Sequence, residues 1–192
     1  WWTAAGWAPT WENWHRTHGV IQPAVVRLGA KRLRMFMRAT QNVGRICYSD
    51  SLDGGASILD LADYSTSDAA VNVDLTRTGA QSGGHAEGDT LVGIEDVMGT
   101  RFSDVITGDA KDNRLWGGDG DDTILGGAGY DIIFSGAGND TIYGGNGEDT
   151  ISGGAGDDYL HGGSDDIPDL LVGGAGNDTL DGGSATRWDT LI

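Results

Sequence analysis

Residues 117–161 read GGDGDDTIL, GGAGYDIIF, SGAGNDTIY, GGNGEDTIS and GGAGDDYLH, nine-residue units laid end to end. A looser unit, GGSDDIPDLLV, follows from Gly162 to Val172 with two extra residues; GGAGNDTLD restores the pattern from Gly173 to Asp181, and GGSATRWDTLI closes the chain at Ile192. Upstream, Gly99 to Thr107 and Gly108 to Trp116 are degenerate units in the same phase. The sixth position is Asp104, Asn113, Asp122, Asp131, Asp140, Asp149, Asp158, Asp169, Asp178 and Asp189; the eighth is always aliphatic, from Ile106 and Leu115 to Leu180 and Leu191. A fixed short period of this kind marks a solenoid in which no single repeat buries anything alone.

The residue types explain the chemistry. Glycines at the first, second and fourth positions permit φ > 0 and close backbone approach. Calcium is a hard cation that takes about 6 to 8 oxygens, from carboxylates and backbone carbonyls alike. A glycine loop ending in aspartate supplies both. The expected carboxylate ligands are Asp122, Asp131, Asp140, Asp149, Asp158, Asp169, Asp178 and Asp189. The expected backbone contributors are Gly118, Gly120, Gly127, Gly129, Gly136, Gly138, Gly145, Gly147, Gly154, Gly156, Gly174 and Gly176. Several calcium ions are therefore expected, and the units with Asp122, Asp131, Asp140, Asp149 and Asp158 follow the pattern best.

The last three residues of each unit suit a short strand whose middle side chain points inward. A loop plus a strand is half a turn, so two units make one coil, and stacked coils form two parallel sheets. This places Asp122, Asp140, Asp158 and Asp178 along one edge and Asp131, Asp149, Asp169 and Asp189 along the other. Parallel strands lie about 4.8 Å apart, where two unit charges repel by about 1 kcal/mol in water and more in a drier setting. Cations between the loops turn that repulsion into ligation and couple binding to folding. On the outer faces, one sheet carries Trp116, Ile132, Phe134, Leu170 and Val172, interrupted by Thr150 and Ser152. The other carries Thr123, Leu125, Thr141, Tyr143, Tyr159, His161, Thr179 and Asp181. The first face is more apolar and is expected to pack on an upstream domain.

Composition agrees. The chain has 34 glycines and a formal charge of −17. Residues 1–50 contribute +5, so the remainder carries −22. This divides the chain into a basic, Trp-rich segment at 1–50, a lead-in and cap at 51–98, and the repeats at 99–192. An acidic low-complexity linker would not hold aliphatics in phase, an asparagine-ladder helix would not favour aspartate, and an EF-hand loop has other spacing between helices. The single cysteine, Cys47, excludes an intrachain disulfide. No apolar run is long enough for a membrane-spanning helix. The opening Trp1-Trp2 resembles no signal peptide, so the chain reads as an internal or carboxy-terminal piece.

The GGxGxDxUx units resemble the RTX, or haemolysin-type, calcium-binding repeats. The lead-in LDGGASILDLADYS, AAVNVDL and GDTLVGIEDVMGT is similar to the segment before the roll in serralysin-like secreted metalloproteases. The resemblance implies an all-β fold, a parallel β-roll with an irregular amino-terminal cap. It also implies export through bacterial type I secretion to an extracellular site where calcium is plentiful. The expected function is calcium binding coupled to folding of a structural module in a secreted protein. The alternative is the secretion or stability domain of an extracellular metalloprotease or lipase, or of a large adhesin.

No catalytic residue is expected. There is no H-E-x-x-H helix and no G-x-S-x-G elbow. His15 and His18 lack a third ligand, Cys47 lacks a histidine partner, and His85 and His161 read as solvent-facing. Val71, Val73 and Leu75, with Leu91, Ile94 and Val97, read as a cap over the open end of the roll. Trp1, Trp2, Trp7, Trp11 and Trp14, followed by the basic run Arg27 to Arg38, suggest only a weak amphipathic helix after Pro23 and no nucleic-acid partner.

Overall fold

The computed structural model describes 22–29, 32–38 and 46–51 as backbone, and 61–183 and 189–192 with side chains. Everything said about Trp1 to Trp14, His15 and His18, and about the side chain of Cys47, lies outside those residues.

Among the described residues the fold is all-β. Strands β1 (Gln22–Gly29), β2 (Arg32–Arg38) and β3 (Ile46–Ser51) pair antiparallel, in that order. The amphipathic helix expected after Pro23 is therefore replaced by strands. Pairing with the adjoining strand decides this, and a helical count along one segment does not register it. β3 also meets β4 (Leu61–Asp63) antiparallel. From β4 onward every pairing between strands is parallel, through β5 (Asn72–Asp74), which also makes one antiparallel bridge from Asn72 to Ser82, β6 (Asp96–Met98), β7 (Val105–Thr107), β8 (Arg114–Asp119) and β9 (Thr123–Ala128). The roll continues with β10 (Ile132–Ala137), β11 (Thr141–Asn146), β12 (Thr150–Ala155), β13 (Tyr159–Gly163), β14 (Leu170–Ala175), β15 (Thr179–Gly183) and β16 (Thr190–Leu191).

Alternate strands belong to opposite sheets. One sheet runs β4-β6-β8-β10-β12-β14-β16 and the other β15-β13-β11-β9-β7-β5. Register is kept residue for residue, so that Ile133 lies between Leu115 and Ile151, and Ile142 between Ile124 and Leu160. The strands run six residues where three were expected, because the ladder continues into the glycine pair of the following unit.

The core is one thin column between the sheets. Ile106, Leu115, Ile124, Ile133, Ile142, Ile151, Leu160 and Leu171 are fully buried. Leu180 is partly buried, while Leu191, the last of the series, is half exposed. Each buried aliphatic contributes about 1.5–3 kcal/mol relative to exposure, one for every nine residues ordered. Ala62, Tyr64, Val71, Val73, Ala86, Leu91 and Val97 extend the column, with Leu75 and Ile94 packed against it, which caps the roll.

His85 differs from its sequence reading. It sits in a single 3-10 turn, Gly84–Ala86, and is buried. The backbone N–H of His85 donates to Oγ of Ser67. The lead-in is aperiodic, so no phase reported this inward turn. His161 does lie on the outer face of its sheet, 5.8 Å from Tyr143 ring to ring and 3.8 Å from Asp181.

A candidate calcium centre built from two carboxylate ladders

The loops between strands fall on two edges, and the sixth-position residues stack along them. On the first edge the N–H of Asp104 donates to Oδ1 of Asp122 at 2.7 Å, Asp122 to Asp140 at 2.8 Å, Asp140 to Asp158 at 2.8 Å and Asp158 to Asp178 at 3.1 Å. On the second edge Asn113 donates to Asp131 at 2.8 Å, Asp131 to Asp149 and Asp149 to Asp169 at 2.9 Å, and Asp169 to Asp189 at 3.0 Å. The sequence-expected aspartates are thus brought into two files. Each spends one carboxylate oxygen on the amide of the coil before it.

The other oxygen is the informative one. Oδ2 of Asp122, Asp131, Asp140, Asp149 and Asp158 is buried with no hydrogen-bond partner. A buried acceptor left unpaired is costly, and a buried carboxylate more so. Burial accordingly pushes the Asp122 carboxyl up to about 8, with Asp104, Asp140 and Asp121 adding repulsion and the N–H of Asp104 opposing them. Burial likewise raises Asp149 to about 7 and Asp131 and Asp169 to about 6. Asp140 and Asp158 are raised by the same cause.

The ladder ends are quieter. Asp104 is satisfied at both oxygens, Oδ1 accepting from Val71 and Oδ2 from the N–H of Thr100. Asn113 heads the second edge as a neutral group; its Oδ1 accepts from Asp109 and its Nδ2 donates to the carbonyl of Glu95.

The glycines divide by task. In the regular units φ is positive at the second and fourth positions, from +102° at Gly120 to +144° at Gly176, a region side chains rarely enter; Gly183 in the last unit stands at +90°, and Gly163 in the looser unit does not share the feature. The expectation of positive φ at the first position is not met. Space governs there instead. A Cβ on Gly117 would stand 2.2 Å from Oδ2 of Asp122 and 2.6 Å from the carbonyl oxygen of Ser135. On Gly126 the same atom would meet Oδ2 of Asp131 at 2.5 Å and the carbonyl of Gly144 at 2.4 Å. On Gly153 it would meet Asp158 at 2.3 Å and the carbonyl of Gly173 at 2.7 Å. The missing side chain leaves a cradle where a carboxylate oxygen and a carbonyl oxygen from the following coil converge.

A donor set of oxygen alone, with buried and unsatisfied carboxylate atoms, fits a hard dication. Among the described residues no three His, Cys, Asp or Glu side chains converge on one point. Any ion in these loops must therefore draw much of its shell from backbone carbonyls, for which glycine loops are suited.

A family profile for the RTX calcium-binding nonapeptide repeat matches residues 98–133, 134–166 and 168–185. The repeat region is an RTX array. No curated protein matches the chain. RTX membership carries calcium-binding capacity and the parallel β-roll, in which the two ladders occupy the loops.

Sequence reasoning missed a further ladder in the same RTX loops. At the fifth position the N–H of Asp121 donates to Oγ of Ser103, Asn139 to Oδ1 of Asp121, Asp157 to Oδ1 of Asn139 and Asn177 to Oδ1 of Asp157. The alternation of Asp and Asn is visible in sequence, but its direction depends on which coil lies above. The insertion in the unit from Gly162 is absorbed locally. Asp165 accepts from Gly147 at Oδ2 and from Ile167 at Oδ1, and Asp169 returns to its place in the file.

Proposed function

We propose that this chain is a calcium-folded structural module of a secreted bacterial protein, with the ions held by Asp122, Asp131, Asp140, Asp149, Asp158, Asp169, Asp178 and Asp189 together with loop carbonyls. The observation carrying this reading is the row of buried Oδ2 atoms without partners. Without a cation those charges oppose the stack; with one they join successive coils, so binding free energy becomes folding free energy. Extracellular calcium modules bind at roughly 0.1–1 mM, which suits a chain that stays open inside a cell and closes outside. The role is structural, and any catalytic domain lies outside this chain. The apolar outer face of Trp116, Ile132, Phe134, Leu170 and Val172 is assigned to an upstream domain of the same polypeptide. No helix among the described residues is long and apolar enough to cross a membrane.

Far-ultraviolet circular dichroism tests the central claim. The chain should be largely unordered in excess chelator and gain β signal on adding calcium. A β spectrum unchanged after verified calcium removal would sink the proposal.

A further inference from the structure

Ser135 is the one residue of 117–161 that breaks the first-position glycine pattern. Its side chain is fully buried. Its hydroxyl donates to the carbonyl of Gly153 at 2.5 Å, with the carbonyl of Ser152 at 3.4 Å. In glycine-headed units the equivalent carbonyl of the next coil faces the vacant cradle: Ser135 above Gly117, Gly144 above Gly126 and Gly173 above Gly153. At Ser135 that cradle is occupied. A real side chain stands there beside the unit's own Asp140, and its hydroxyl engages the carbonyl from the next coil.

We infer that Ser135 takes the place of one ion, so that in the Asp140 unit a hydroxyl, and not a bound calcium, links one coil to the next. The inference rests on the calcium reading above. A serine hydroxyl has one proton to give, and it lies between the carbonyl of Gly153 and the carboxyl of Asp140, which it also stabilises as the charged form. The link it makes joins the same two coils that an ion would join, without adding positive charge. The array then holds one ion fewer than its aspartates suggest, at a known place on the first edge.

Calcium bound by the full chain, counted by metal analysis after dialysis against millimolar calcium, decides the matter. Ser135→Gly should take up one ion more than the natural chain. Gly153→Ser, which copies the device into the next unit of the same edge, should take up one ion fewer. Either variant leaving the count unchanged while it retains the β spectrum overturns the inference, and if one of them does not fold, the other decides. A natural chain that takes up no calcium overturns the calcium reading itself and this inference with it.

Discussion

Gly138 shows what a single residue contributes. Its φ is +139°, and a Cβ there would stand 2.1 Å from the carbonyl oxygen of Gly120 in the coil before. Gly138→Ala therefore meets both a backbone penalty and a clash. Residues held in such regions cost about 1–3 kcal/mol. Urea denaturation in saturating calcium should show a loss of at least that size, whereas Gly79→Ala, where nothing lies within 4 Å, should change stability little. Equal stability of the two variants would contradict the close stacking of loops. The same reasoning separates residues that look alike in sequence. Gly117 and Gly118 are neighbours, but the first leaves room for a carboxylate and the second, at φ +123°, turns the chain.

A loop with its aspartate is the element on which pH acts. In the cation-free roll burial lifts Asp122 to about 8 and Asp149 to about 7, above an unfolded value of about 3.9. The folded state then binds more protons than the unfolded one between those values. Stability of the cation-free roll is fully present below about pH 4 and is lost as pH rises through roughly 6 to 8. In chelator, acidification from pH 8 to 4 should therefore raise the β signal. With calcium the sign reverses, since protons compete for the same oxygens, and the calcium concentration at half-folding should rise as pH falls. Circular dichroism over both titrations checks this; a chelated chain that loses β signal on acidification would refute the burial argument. The sequence made these loops legible because phase is local. Nine-residue spacing identified the two files of aspartates and the aliphatic column without any knowledge of contacts. Three things were hidden. The vacancy beside Gly117 depends on the next coil, the fifth-position ladder depends on stacking direction, and the burial of His85 belongs to a lead-in with no repeat to count. The strands at 22–38 were hidden as well, because the antiparallel pairing of adjoining segments leaves no repeat to count.

The whole molecule has two unlike outer faces. On the sheet of β8, β10, β12 and β14, Trp116 and Phe134 stack with centroids 6.4 Å apart and an interplanar angle of 16°, flanked by Ile132, Leu170 and Val172. On the other sheet Tyr143 meets Tyr159 and His161 amid threonines and Asp181. If the first face receives an upstream domain, hydrogen exchange in a longer polypeptide should be slower at β8, β10 and β14 than in this chain, with β9, β11 and β13 unaltered. Equal exchange on both sheets would argue against that assignment.

The two ladders of the first edge run in opposite senses. In the inner file the earlier coil donates and the later coil accepts; in the outer file the later coil donates and the earlier coil accepts. Each coil thus offers an inner donor and an outer acceptor on its upper side, towards the later coil, and an inner acceptor and an outer donor on its lower side. Top matches bottom, while top against top sets carboxylate against carboxylate. The stack is a polar object, like a magnet cut into slices. It can be extended head to tail, and symmetrical pairing of like ends is closed to it.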